Sequence, residues 1–434
     1  MTYDIQRSFA AGEIAPALYG RADQARFNTA LRTCRNMIVR KEGGIKRRTG
    51  TQFITEIPDN ARLVDFTFSD AQTYMLVMMP SKMWIIKNGA VVTAGSPAAY
   101  AGGTTYAVGA LVSSGGVNYY SLQSSNTGNT PASSPLWWHA MPAGVYEVPT
   151  PYADPYTMDW AQSGDVVTIV HPDVQITELT RTGDTSWVFA AATISGSQFT
   201  GAGNYPSTVA IFQQRRVFAA TNTYPEKIWL SRVGSYGDFD PPGTGDADPF
   251  SFSLASGKIS KVRKIIEVAG RLICLTDSYE WVIAGDSNGT VTPTAINAKL
   301  YSYNGTKAIR PAVLNSTLIY PQLRGTVLHD MRWDFSTESL QSRDLTIWSS
   351  HLFQGRTITR IAYQGTPDTV VWVLRDDGTL LGLTYLPEQD VWGWHKHDSY
   401  STIDISGTTT TRLDPILDIA TTTEGTTDAA YMVV

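Results

Sequence analysis

The chain has 434 residues, a formal charge of −5, 42% apolar residues and only 17% charged ones. That length exceeds one ordinary core and predicts roughly two to four folding units, unless a large β ring or barrel takes up the whole chain. Two distant cysteines, Cys34 and Cys274, with no CxxC pair give no support to a disulfide framework and suit a reducing compartment during folding. No run approaches about 18 consecutive apolar residues, and the start "MTYDIQRSFAAGEIAPALYG" has no basic stretch leading into an apolar one. Neither a membrane span nor a signal peptide is therefore expected. Aromatic residues make up 11%. With so few charges, this fits either a surface largely covered by partners or a β-rich fold.

Charge is unevenly distributed. Residues 1–62 carry 11 basic and 6 acidic side chains, while the remainder carries 23 basic and 33 acidic ones. Such a sign change points to different partners for the two regions.

In chain order, "ADQARFNTALRTCRNMI" (22–38) predicts a helix, because Phe27, Leu31, Cys34 and Ile38 recur at helical spacing. Arg26, Arg32 and Arg35 lie off that stripe. "MIVRKEGGIKRR" then reads as two short strands around a glycine turn, and "TQFITEI" as a third strand. From residue 62 onward the pattern is β. "RLVDFTFS", "TYMLVMM" and "KMWIIKNGAVV" begin a series of short strands that continues to "TVVWVLRDDGTLLGLTYLPEQDVWGWHKH". Trp229, Trp281 and Trp333 fall 52 residues apart. That period suits repeated small antiparallel sheets, as in propellers, although a long sandwich is also built of short strands. The expected fold is mainly β: a propeller-like platform of short antiparallel sheets with one N-terminal helix and an inserted small β module. The expected division is 1–60 as an assembly contact, 61–94 with 141–434 as the platform, and 95–140 as the insert.

The insert is rich in Gly, Ser, Thr, Asn and Tyr and nearly free of charge. Its Tyr106, Gly109, Val112, Gly116, Tyr119, Asn126, Pro131 and Trp137 resemble the pattern of small chitin-binding-type carbohydrate modules. The resemblance implies sugar contact through Tyr119, Tyr120, Trp137 and Trp138, since a pyranose has an apolar face for an aromatic ring. The same rings would equally serve as the small core of a loop-rich insert.

Catalytic chemistry is not indicated. His395, His397 and Asp398 in "WHKHD" could start a metal site, but no third ligand is marked. "PPGTGDADPF" lacks the spacing of a calcium loop. There is neither a G-x-S-x-G elbow nor a phosphate-cradling loop. No cofactor, metal or enzymatic activity is expected. The basic residues Arg26, Arg32, Arg35, Arg40, Lys41, Lys46, Arg47 and Arg48 are the candidate site. On a strand, Lys46 and Arg48 share one face and Arg47 takes the other. Without interleaved aromatics, a charge-complementary protein contact is favoured over DNA backbone contact or a solvated face.

Three long strings resemble the tail nozzle (tail tubular) proteins of short-tailed bacteriophages. They are "FAAGEIAPALYGRADQARFNTALRTCRNMIVRKEGGIKRRTGTQFI", "VAIFQQRRVFAATNTYPEKIWLSRVGSYGDF" and "DLTIWSSHLFQGRTITRIAYQGTPDTVVWVLRDDGTLLGLTYLPEQDVWGWHKH". The resemblance implies a structural virion protein, assembled in the host cytoplasm as a homo-oligomer, a hexamer. It would serve as a conduit for genomic DNA between a portal-adaptor ring and tail fibre or needle proteins. The competing expectation is a carbohydrate-binding tail protein or a glycan-degrading enzyme on a propeller scaffold.

Overall fold

The computed structural model describes residues 6–334, 339–389, 391–405 and 408–434. The protein is mainly β and consists of a succession of short antiparallel sheets, as expected. The chain divides into two compact units. One comprises 1–52, 273–282 and 299–434, and the other comprises 53–272 and 283–298. Residues 1–52 therefore belong to the same unit as the C-terminal sheets.

In the second unit, the first sheet has Arg62–Ser69, Gln72–Met79 and Lys82–Lys87 in order, with Glu147–Pro149 as its fourth main strand. The segment between its third and fourth strands holds a separate three-stranded sheet of Leu111–Ser114, Val117–Ser121 and Trp138–Ala140. The predicted module is thus an insertion within one sheet. Two further sheets run as simple meanders: Asp159–Ser163 to Ser186–Ala191, and Thr208–Phe212 to Phe250–Ser253. Alternating apolar side chains fill the interior between strands, with Phe66, Tyr74 and Trp187 meeting edge to face at its centre. A buried ion pair, Lys264 Nζ to Asp159 Oδ1 at 2.9 Å, ties the strand Val262–Val268 to the strand Asp159–Ser163, on either side in sequence of the sheet that begins at Thr208–Phe212. The other Asp159 oxygen accepts from Thr208 Oγ1 at 2.6 Å.

The strands from Val262–Val268 to Asn297–Ser302 form the next meander, and those from Ala312–Leu314 to Ser339–Asp344 another. Trp229, Trp281 and Trp333 each occupy the third strand of three consecutive four-stranded sheets. The 52-residue spacing is therefore a sheet repeat. The last four-stranded sheet comprises Ile358–Gln364, Val370–Arg375, Leu380–Leu386 and Val391–His397. Two C-terminal hairpins follow it.

The N-terminal segment extends this last sheet. Gly12–Glu13 pairs in parallel with Val391–His397, and Ala30–Leu31 pairs in parallel with Gly12–Glu13. Gly12 lies so close to Trp394 that a Cβ would stand 2.5 Å from its backbone nitrogen, at a φ of +62°. No larger residue fits there.

The long helix expected over 22–38 is corrected: only Ala25–Thr29 is helical, as a 3-10 turn. Beyond it the backbone groups are taken by the sheet. Asn36 N donates to Lys396 O and Lys396 N to Cys34 O, both at 2.8 Å. The apolar spacing arose because different residues meet different neighbours. Leu31 and Cys34 pack near Val391, and Ile38 packs near Trp372. The predicted hairpin forms as Met37–Val39 and Ile45–Arg47, whereas 51–57 is not a strand.

Candidate functional site

The basic segment is held down by two kinds of contact. Apolar side chains on the hairpin dock first: Ile38 and Val39 are buried, and Val39 O accepts from Thr384 Oγ1 at 2.7 Å. That threonine leads to a sealed histidine pair. Its hydroxyl proton is used on Val39, so it accepts from Nε2–H of His395, 3.3 Å away. Nδ1 of His395 then accepts from Nε2–H of His397 at 2.6 Å. His397 Nδ1 is left buried without a partner. Burial holds His395 down to about 3 and His397 to about 2, so both are neutral. Gly382 makes room for the inner ring, since a Cβ there would lie 2.1 Å from His395 Cε1. The two histidines share one face, as strand alternation predicts, but that face is the interior. Among the described residues no cluster of three metal-ligating side chains occurs.

Charge contacts come second. Asp398, buried beside this pair, receives Arg35 Nε on its carboxylate, and its carbonyl accepts from Arg48 Nη2 at 3.1 Å. Lys46 pairs with Asp368. Burial lowers the Arg48 pKa, and Asp398 opposes that shift. Arg26 lies over the Trp392 ring at 4.7 Å and the Trp348 ring at 5.9 Å. Arg40 pairs only with its neighbour Glu42, at 3.3 Å.

Three cations remain at the surface. Arg32, Lys41 and Arg47 are exposed, and the structure places no carboxylate of the described residues in ion-pair reach of them. Arg32 rests over Tyr19 at 5.9 Å. The strand alternation of Lys46 and Arg47 is visible in these fates: Lys46 meets an acid of its own chain, and Arg47 points out.

A residue that sequence reasoning missed lies beneath this segment. Glu13 is buried, accepts from Cys34 N at 2.7 Å through one carboxylate oxygen, and meets His351 Nε2 at 3.0 Å through the other. Burial pushes the Cys34 thiol up to about 12, with Glu13 adding to the shift, so the thiol is inert. Nothing in the string "AGEIAP" marks Glu13 as interior, because one partner of its carboxylate, His351, is 338 positions away.

Three of the four rings expected to meet sugar lie inside the insert. Tyr119, Tyr120 and Trp138 are buried, and Trp137 is half-buried. Trp138 stands edge-on to Tyr100 and Tyr106 and donates from Nε1 to Asn129 O at 2.7 Å. Tyr120 donates its hydroxyl to Trp187 O at 3.0 Å and so belongs to the core of the first two sheets. Tyr119, Tyr120 and Trp138 are thus used in packing, while Trp137 keeps part of its ring in water. The acidic loop "PPGTGDADPF" is likewise satisfied from within. Arg232 pairs with Asp238 at 2.7 Å and with Asp248 at 2.8 Å, and Arg215 donates to Asp248 O at 2.8 Å.

No family model matches the chain, and no curated protein matches it. Solved structures that resemble it include U3-55K, at 8% identity over 87% of this chain and 89% of that one, with a TM-score of 0.45. They also include the RRP9 WD40 repeats, at 8% identity, 82% and 83% coverage and a TM-score of 0.43. A third is the β-propeller domain of Cps50 (Swd1) from Myceliophteria thermophila, at 7% identity, 85% and 92% coverage and a TM-score of 0.44. The likeness concerns the succession of sheets and carries nothing about activity. The expectation of a phage tail nozzle is corrected. No family model and no curated protein supports it, and none of these three structures is named as a tail protein. The role in a virion, with its DNA conduit, is dropped, and so is the competing glycan-directed tail role.

Proposed function

We propose that this chain is a non-catalytic β scaffold that binds another protein through the basic N-terminal segment. The observation that supports this most is the split among its cations. Arg35, Lys46 and Arg48 hold the segment to the chain's own acids, while Arg32, Lys41 and Arg47 are presented outward on the backbone so fixed. No ion pair with a described residue engages these three, so their charge is open to a partner. Prefixed charges set register and partner choice and speed encounter with an acidic surface. Binding rather than chemistry is favoured because three groups suited to acid–base work are enclosed: Glu13 holds the backbone N–H of Cys34, and His395 and His397 are bonded to Thr384 and to each other.

The test is fluorescence anisotropy with labelled poly-glutamate and with duplex DNA, over a range of salt. Poly-glutamate should bind with salt-dependent affinity, and the double variant Lys41→Glu, Arg47→Glu should abolish that binding. Tighter binding of DNA, lost in the same variant, would replace the protein partner with nucleic acid.

A further inference from the structure

The two C-terminal hairpins are held in different ways. In the second, Asp418–Glu424 with Thr427–Val433, Ile419 is buried in one cluster with Ala362 and Trp372, and Asp418 takes Arg360 Nε at 2.6 Å. The first, Ser399–Ile405 with Thr408–Asp414, is a ribbon of two strands, and no third strand of the described residues pairs with it. Its cross-strand neighbours Tyr400 and Leu413 are 47% and 55% exposed. A two-stranded ribbon is marginal in water until a third strand or a packed face supports it, and an open edge is a template for such a strand. The ribbon also begins at the basic segment. Arg35 holds the carboxylate of Asp398 and lies over the Tyr400 ring at 5.6 Å, while Arg48 Nη2 donates to Asp398 O at 3.1 Å. Residues 32–48 carry seven basic side chains and one acid, Glu42, which already meets Arg40.

We infer that this ribbon is a docking site at which an acidic partner protein adds a β-strand. This rests on the protein-binding role proposed above and names how the partner is held. An added strand bonds through its main chain, and its alternate side chains give the choice of sequence. Here one apolar side chain of that strand would extend the row of Tyr400 and Leu413 across the sheet, since directly opposed residues share a face and pack together. The charge of the flanks is set by the basic segment beside the ribbon. Arg35 and Arg48 are already bonded to Asp398, so their part is to fix the base of the ribbon. The exposed Lys41 and Arg47 supply the attraction for carboxylates on either side of the strand.

The probe is a fluorescein-labelled peptide of alternating valine and threonine between short runs of glutamate. One control replaces the threonines by proline, which keeps the charge but removes main-chain donors needed for a ladder. Another replaces every glutamate by lysine. The threonine peptide should bind about tenfold tighter than the proline peptide, as expected for one or two main-chain bonds and the packing of one side chain, and the lysine peptide should not bind. The threonine peptide should also slow hydrogen exchange in 399–405 and 408–414. The double variant Tyr400→Thr, Leu413→Thr keeps residues that suit a strand but removes the apolar row. In it the two acidic peptides should differ by no more than about twofold. Thermal melting checks that the variant is folded. If the proline peptide binds as well as the threonine peptide, or protection appears elsewhere, the ribbon assignment falls while binding of poly-glutamate through Lys41 and Arg47 keeps the scaffold reading. If no acidic peptide binds at all, both fall. Self-association of the unliganded chain, seen by sedimentation and abolished in the double variant, would put a second copy of this chain in the partner's place.

Discussion

The insert at 95–140 and the basic segment at 26–48 were the two regions where sequence pointed to a partner, and they use their distinctive side chains in opposite ways. In the insert, the aromatic rings turn inward. Tyr119 and Trp138 make a small core, with Tyr100, Tyr106 and Trp137 against it. In the basic segment, some cations turn to acids of the same chain and others stay in water. The difference follows from what each group loses on burial. An aromatic ring gains by leaving water, so a lightly charged module with few other apolar residues folds around whatever rings it has. A cation is buried at a cost unless a partner awaits it, so Lys46 and Arg48 are drawn part-way in beside Asp368 and Asp398, Arg26 part-way in against tryptophan rings, and the others stay exposed.

The sharpest way to break this contrast is to remove the ring at the centre of the insert. Trp138→Ala should destabilise the module by about 3–5 kcal/mol, the range for a buried tryptophan. It also strands Asn129 O, which loses its donor. Hydrogen exchange of residues 111–140 would report it. Unchanged protection there would show that Trp138 serves the surface after all.

Second in size is the anchor of the basic segment. Asp398→Ala leaves Arg35 without its carboxylate and disturbs the turn that holds Arg48. A loss of about 1–3 kcal/mol is expected, typical of an unmade charge-assisted bond at a partly buried site. Limited proteolysis should then cut within 36–48 before it cuts the insert.

Acid should do the same more gradually. His395 and His397 have folded-state pKa values well below the usual 6.5, so the unfolded chain binds protons that the folded chain refuses. Stability contributed by the pair is therefore complete above about pH 6.5 and falls as pH drops towards the folded values. The slope approaches about 1.4 kcal/mol per pH unit for each imidazole. Burial also holds His171 and His329 below their usual range, so a global melt would mix several contributions. Exchange of the Val39 hairpin between pH 7 and pH 5 isolates the pair. His397→Gln should flatten that local dependence.

How much of this could be read from sequence differs by the range of the forces involved. The sheet series and its 52-residue period were legible, because each sheet is a local meander whose strands carry their own alternation. Trp229, Trp281 and Trp333 mark equivalent third strands for that reason. The split between Lys46 and Arg47 was legible on the same ground. The helix over 22–38 was misread, since parallel pairing to residues near Trp394 overrides local spacing. Glu13 and the direction of the His395–His397 face were not legible at all. Both depend on contacts between the two ends of the chain. The burial of Tyr119, Tyr120 and Trp138 was not legible for a third reason: a pattern of aromatic spacing does not say which side of a small sheet is wet.

The smallest expected effect is the most telling for the basic segment itself. Arg47 is exposed on the outer face of its strand, opposite Met37 in the register, and no acid of the described residues reaches it. Arg47→Ala should change stability by no more than about 0.5 kcal/mol, as for an ordinary surface position. The same substitution at Lys46 removes the contact with Asp368 and should produce a measurably larger loss, though still about 1 kcal/mol, because the pair is half in water. Chemical denaturation of the two variants side by side gives the comparison. If Arg47→Ala proves the costlier, its guanidinium has a partner within the chain, and the argument that it is held outward for another protein collapses. If it is silent for stability while weakening poly-glutamate binding, the alternation along one short strand has divided anchoring from recognition, one residue apart.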